Sequence, residues 1–186
     1  MALSLHDIEH LYRQHGDEQY SGEPVSQIEH ALQCAALAEA ESADDELVTA
    51  AFLHDLGHLL HDLGETPSAR GIDDVHQYRV LPFLRGVFSE RVLGAIAMHV
   101  DAKRYLCATR SEYYGALSED SRRSLKLQGG VFDAGQAQQF ISTPGAFEAV
   151  RVRLWDDRAK IAGFATPDLD HVMQRMRRCA LAGAGA

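Results

Sequence analysis

Residues Ala51-Phe52-Leu53-His54-Asp55-Leu56-Gly57-His58 set an imidazole and a carboxylate side by side in an otherwise apolar, helix-forming stretch. Taking charge out of water is costly unless a partner compensates it. A fold that buries this pair must therefore bring something to it, and a metal cation is the commonest compensation. The chain carries matching donors: His30 upstream, His76 and His99 downstream, and the pair Asp156-Asp157 near the end. Together these exceed what one tetrahedral ion takes, which points to two metals, with Asp55 the natural bridge because it neighbours a ligand. Mixed imidazole and carboxylate ligation suits iron, manganese or zinc better than calcium or magnesium.

The 186 residues are 46% hydrophobic and 24% charged, enough for one globular domain with a proper core. The expected unit is 1–186, with a core over about 19–162 and a C-terminal helix over about 167–182. A net charge of −9 excludes a sequence-independent nucleic-acid binder, which needs a basic face. An anionic substrate would have to be met by a local basic cluster. Cys34, Cys107 and Cys179 lack Cys-x-x-Cys spacing and fit thiols in a reducing cytoplasm. Met1 to Gln14 carries acids and histidines rather than a signal-peptide pattern, and no apolar run approaches the ~20 residues of a membrane span.

The pattern reads as helix after helix: Leu3 to Arg13; Pro24 to about Glu41, with His30, Cys34 and Leu37 on one face and Glu29, Gln33 and Ala40 on a wetter one; and a third opened by Asp44-Asp45-Glu46, carrying Leu47, Ala51, His54 and His58 along one stripe. A loop with Pro67 follows. Asp73 or Asp74 caps a fourth helix, which holds His76 and continues to about Leu84. Ser89 caps a fifth, from Glu90 to about His99. Shorter helices are expected at Glu112 to Ala116 and Ser118 to Leu127, then a Gln128-Gly129-Gly130 turn, then Pro144 to Ala162 and Pro167 to Ala182. Alternating β-branched runs are missing, so the fold class is all-α.

His30, His54 and His76 fall where periodicity places them inward, and His99 ends the apolar run Val92 to Met98. Periodicity does not choose between Asp156 and Asp157. The first shares a face with Arg153 and the second with Leu154 and Ile161. His6, His10, His15, His61 and His171 lie in polar contexts that suit exposure, whereas His58 is one turn beyond His54.

His30, His54-Asp55 and a late Asp resemble the HD-domain superfamily, and His76 and His99 its dinuclear branch. Further segments are similar to the mixed-valent di-iron oxygenases that cleave carbon–phosphorus bonds. These are Tyr20-Ser21-Gly22-Glu23, His54 to His58, His99 to Leu106, and Leu125 to Gly130. The resemblance covers about Gln19 to Lys160. It implies an HD-type helical bundle in which His30, His54 and Asp156 hold one iron, His76 and His99 the other, and Asp55 bridges. It also implies that Tyr20 occupies an iron position until substrate displaces it, with Glu23 beside it. His58, Lys103, Ser121 and Arg153 then meet the phosphonate, a cluster of fork, point charge and directional donors suited to that group.

The implied reaction consumes O2 at a mixed-valent Fe(II)/Fe(III) pair. It splits 1-hydroxy-2-(trimethylammonio)ethylphosphonate or 1-hydroxy-2-aminoethylphosphonate into phosphate and glycine betaine or glycine. Lys103 joins Tyr20 and Glu23 among the residues acting at the reacting end. Glu23, Asp101, Tyr20 and Tyr105 are the acidic and aromatic residues available to a cationic head group, and that endowment leans toward the trimethylated substrate. A 2-oxoglutarate-type hydroxylase is implied upstream. The partner is a small organophosphonate, with no nucleic acid and no membrane. The alternative on the same scaffold is a metal-dependent phosphohydrolase using zinc, manganese or magnesium. Inositol-type oxygenation calls for a lysine where His58 stands. A metal-dependent sensor is the non-enzymatic reading.

Overall fold

The computed structural model describes residues 2–20, 22–61, 63–64 and 66–182, so Ser21 of the Tyr20–Glu23 motif lies outside the described residues. In chain order the helices are α1 (Leu5–His15), α2 (Gln27–Ala40), α3 (Asp45–Leu53), α4 (His76–Arg79), α5 (Leu81–Leu84), α6 (Glu90–Thr109), α7 (Tyr113–Ala116), α8 (Glu119–Leu127), α9 (Ala134–Ile141), α10 (Ala146–Arg158) and α11 (Leu169–Cys179). Among the described residues there are two isolated bridges, Gln19–Ser26 and Arg85–Phe88, and no strand. The fold is all-α, as expected from the sequence. Among the described residues no helix is long and apolar enough to cross a membrane.

Side-chain caps fix most starts: Ser4–Asp7, Ser26–Glu29 and Asp133–Gln136 form capping boxes, and Asp44, Ser118 and Asp168 cap α3, α8 and α11. α3 is buried on every side, and α2, α6, α10 and α11 pack around it. Phe52, Leu47, Leu56, Ile96, Trp155 and Met173 are among the fully buried residues there. A smaller cluster of Ala102, Leu106, Phe140, Ala146, Ala149 and Val150 joins the distal half of α6 to α9 and α10.

Three expectations are corrected and one helix is added. α3 does not run through His58 but stops at Leu53, with a 3₁₀ turn over Leu56–Leu60. Asp55 sits at φ −105°, ψ 7°, between helix and turn. Consecutive residues of a continuous helix point about 100° apart, so this break lets His54 and Asp55 aim at one place. The fourth helix is two pieces, because Pro82 near the start of α5 has no N–H to continue the ladder. α6 continues ten residues past His99, as buried Val100, Ala102, Lys103 and Leu106 extend its apolar face. α9 was not expected; its signal was the Asp133–Gln136 box. The expected glycine turn is present, with Gly129 and Gly130 at φ 97° and 72°. Their carbonyls accept from Arg104 of α6 and so dock the end of α8 there.

Gly57 lies against the fourth segment so tightly that a Cβ would stand 2.2 Å from the His76 carbonyl oxygen. That neighbour is backbone and cannot swing away. Gly57→Ala should cost about 1–3 kcal/mol in urea unfolding, and a free energy equal to wild type would show that the contact yields freely.

Candidate metal centre

Four imidazoles and two carboxylates converge from separate elements. His30 comes from α2, His54 and Asp55 from the break after α3, His76 from α4, His99 from α6 and Asp156 from α10. All six are buried. The two oxygens of Asp55 face opposite groups. Oδ2 lies 3.6 Å from His30 Nε2 and 3.3 Å from His54 Nε2, while Oδ1 lies 3.3 Å from His76 Nε2 and 3.5 Å from His99 Nε2. Asp156 Oδ1 is 3.6 Å from His30 Nε2 and Oδ2 is 3.9 Å from His54 Nε2. His30, His54, Asp55 and Asp156 could hold one metal ion, and Asp55, His76 and His99 another. Cys34 Sγ is 3.7 Å from His30 Nε2, with burial pushing its thiol well above the ordinary value, so it stays protonated.

Each imidazole is anchored from behind through Nδ1. Acceptors are the carbonyls of Ala159 for His30 (2.8 Å), Ala51 for His54 (2.8 Å) and Ile96 for His99 (2.7 Å), and Asp74 Oδ1 for His76 (2.8 Å). An N–H on Nδ1 leaves Nε2 as a bare donor pair pointing inward. The Nε2 atoms then approach as pairs, His30–His54 at 3.4 Å and His76–His99 at 3.1 Å. Facing lone pairs repel unless a cation lies between them, and buried Asp156 Oδ1 has no hydrogen-bond partner. This donor set fits two transition-metal ions, with second-sphere anchoring typical of such sites.

The electrostatics agree. Burial opposes ionisation of Asp55, yet His54, His58 and His76 hold it well below the carboxylate range. Burial would likewise depress His76, but Asp55 and Asp74 outweigh it and bring that imidazole up to about 10.

Tyr20 stacks on His30 with ring centroids 3.9 Å apart and donates its hydroxyl to Asp55 Oδ2 at 2.7 Å. Burial, with Asp55 and Asp156 adding to it, raises its phenol well above the ordinary value. A cavity of about 50 Å³ opens beside these groups, lined among others by Tyr20, His58, Lys103, Ser121, Ser124 and Arg153. Lys103 is one turn beyond His99 on α6 and donates to Ser124 Oγ at 2.9 Å. Arg153 spreads its fork over Asp156 (2.7 Å), Asp157 and the Tyr113 hydroxyl (3.1 Å).

Of the two neighbouring aspartates, Asp156 reaches the histidines and Asp157 turns to Arg153 and Tyr113. Several expected residues lie elsewhere. Glu23 and Asp101 are outside the cavity wall, paired with Lys160 (3.6 Å) and Arg104 (3.0 Å). Tyr105 packs on Phe140 and shares no cage with Tyr20. His61 is not exposed: its side chain is 6% accessible and meets Asp74 at 3.3 Å. Gln33 is buried as well, exchanging hydrogen bonds with the Ile161 backbone and thereby holding the segment whose Ala159 carbonyl anchors His30. Asp74, Tyr113, Ser124 and Lys160 were missed, since only the folded geometry brings these ordinary surface residue types to the site.

No protein-family model matches the chain. Full-length relatives do. It is 38% identical over 168 residues to 1-hydroxy-2-(trimethylamino)ethylphosphonate dioxygenase (glycine-betaine-forming) of Leisingera caerulea, covering 90% of this chain and 86% of that one. It is 38% identical over 174 residues to hydroxymethylphosphonate dioxygenase of Gimesia maris, covering 91% and 84%. An uncharacterized protein of Acanthamoeba polyphaga mimivirus is 32% identical over 176 residues, covering 93% and 80%. The chain belongs to the hydroxyphosphonate dioxygenase family.

Burial, with the charge of Arg153 adding to it, lowers Lys103 from its ordinary 10.5 to about 7. Between those values the unfolded chain holds the proton and the folded one does not, so this residue makes stability rise with pH across that window. The unfolding free energy of wild type relative to Lys103→Met should climb by about 1 kcal/mol per pH unit from pH 7 to 9. A pH-independent difference in urea titrations would contradict it.

Proposed function

We propose that this chain, as one HD-type domain over 1–186, is a cytoplasmic di-iron dioxygenase cleaving the carbon–phosphorus bond of a 1-hydroxyphosphonate. The candidate substrates are 1-hydroxy-2-(trimethylammonio)ethylphosphonate and 1-hydroxy-2-aminoethylphosphonate. Phosphate leaves as one product, and glycine betaine or glycine as the other. The observation that carries the reading is the six-residue His/Asp cluster opening onto a cavity lined by Lys103, Ser121 and Arg153. Membership of the hydroxyphosphonate dioxygenase family supports it, since the named substrates of two relatives share the hydroxylated carbon bonded to phosphorus and differ beyond it.

In this reading His30, His54 and Asp156 hold one iron, His76 and His99 the other, and Asp55 bridges. Bound there in mixed-valent form, the irons supply the redox chemistry that uses O2. Arg153 offers a permanent cation whose direction is fixed by Asp156, Asp157 and Tyr113. Lys103, lowered toward neutrality by burial, gains its proton as the phosphonate dianion arrives. The Ser121 hydroxyl and the His58 imidazole add directional contacts. Tyr20 keeps its phenolic proton on Asp55 Oδ2 and moves aside when the substrate's hydroxyl takes its place. Glu23, paired with Lys160 outside the cavity wall, is the acid of the Tyr20–Glu23 motif that could serve the cationic head group. The closely lined cavity excludes water from the reacting carbon. A 2-oxoglutarate-type hydroxylase must supply the hydroxyl on that carbon.

Iron-loaded protein given oxygen and either phosphonate should release phosphate in step with oxygen uptake. Phosphate release without oxygen uptake would sink the oxygenase and favour a phosphohydrolase. Tyr20→Phe should alter the iron spectrum before substrate is added, and an identical spectrum would remove Tyr20 from the metal's surroundings. Arg153→Lys keeps the charge but loses the fork, so KM for the phosphonate should rise about tenfold or more; an unchanged KM would remove Arg153 from the subsite.

A further inference from the structure

One buried carboxylate takes no part in that reaction. Asp74 is 7% exposed, and three imidazoles meet on it. Its Oδ1 accepts from His76 Nδ1 at 2.8 Å and from the His76 main-chain N–H at 3.3 Å. Its Oδ2 lies 2.7 Å from His58 Nδ1 and 3.3 Å from His61 Nε2. His76 turns its other nitrogen to Asp55, and His58 lines the cavity with its ring stacked on that of His76, centroids 4.1 Å apart. The same carboxylate therefore stands behind a candidate metal ligand and a candidate phosphonate contact.

The backbone is bent to put it there. Val75, the single residue between Asp74 and His76, sits at φ 48°, ψ 34°. A β-branched residue adopts this left-handed conformation only when its surroundings impose it. Val75 is 39% exposed, so its packing does not explain the turn. What the turn secures is the double contact of Asp74 with the ring and main chain of His76.

We infer that Asp74 is a positioning residue that sets the tautomers of His76 and His58 together, so that the second metal position and the phosphonate subsite are built on one group. The inference rests on the function proposed above. An ionised carboxylate only accepts hydrogen bonds, so both imidazoles must carry a proton on Nδ1. His76 is thereby left with a bare Nε2 for the ion. An amide at position 74 would keep the shape but offer one acceptor and one donor. One of the two imidazoles would then have to carry its proton on Nε2. In His76 that blocks ligation, and in His58 it changes what the phosphonate meets.

The test compares iron-loaded wild type with Asp74→Asn. Iron per chain is measured after dialysis against a weak chelator, and the affinity for hydroxymethylphosphonate is measured by anaerobic calorimetry. Wild type should retain two irons, while Asp74→Asn should lose one of them about 10- to 100-fold more readily and bind the phosphonate more weakly. Val75→Gly relaxes the turn while leaving Asp74 in place, and should retain both irons. A folded Asp74→Asn protein with two irons and wild-type affinity would overturn the inference. Wild type that never takes up a second iron would instead overturn the dinuclear reading beneath it. Should Asp74→Asn not fold, nitrogen NMR of the zinc-loaded wild-type protein still decides. His58 and His76 should both carry a proton on Nδ1, and finding either without one refutes the inference.

Discussion

The Asp55 carboxylate is the point on which the rest of the molecule is organised. It is a buried anion whose two oxygens face two different pairs of imidazoles, with the Tyr20 hydroxyl on one of them. A buried charge left alone would cost several kcal/mol, so the surrounding helices are committed to delivering donors or cations to it. The break after α3 aims it, Gly57 lets the chain of His76 come close enough, and α2 and α6 bring His30 and His99 to it. The hydrophobic core holds these helices in place, and the carboxylate gives their arrangement its polar logic.

The charge balance around the site is local. The chain carries a net charge of −9, yet its cavity presents buried Lys103 and Arg153. Arg153 spends its fork on Asp156, Asp157 and Tyr113, which fixes its direction at the cost of part of its charge. Among the described residues Lys103 has neutral Ser124 as its hydrogen-bond partner and no carboxylate paired with it. One cation is rigid and committed, and the other is adjustable.

Much of this was readable from residue order. The helices announced themselves by periodicity and by start signals such as the Asp44-Asp45-Glu46 run and Ser89, and the His54-Asp55 pair pointed to metal as the commonest compensation for its burial. Resemblance to known oxygenases chose Asp156 over Asp157, which periodicity left open, and the structure brings Asp156 to His30 and His54. The break of α3 before the pair was not readable, because His54 and His58 continue the stripe of Leu47 and Ala51 on paper. Only the demand that two consecutive side chains share a target ends it. α9 was overlooked although the Asp133–Gln136 box marks its start. Tyr105, named with Tyr20 as an aromatic available to a cationic head group, is carried by the continuing α6 to Phe140 instead. Asp74 was read as a helix cap and His61 as exposed, since a polar residue in a loop looks the same whether it meets water or a buried hub.

The anchors behind the imidazoles differ in kind, and this bears on how such a site tolerates sequence drift. His30, His54 and His99 lean on main-chain carbonyls of Ala159, Ala51 and Ile96. Those acceptors are present whatever side chain occupies the position, so three of the four rings keep their orientation through any substitution that preserves the helix path. His76 alone leans on a side chain, Asp74. One half of the centre is thus inherited with the fold itself, while the other can be lost or retuned by a single codon.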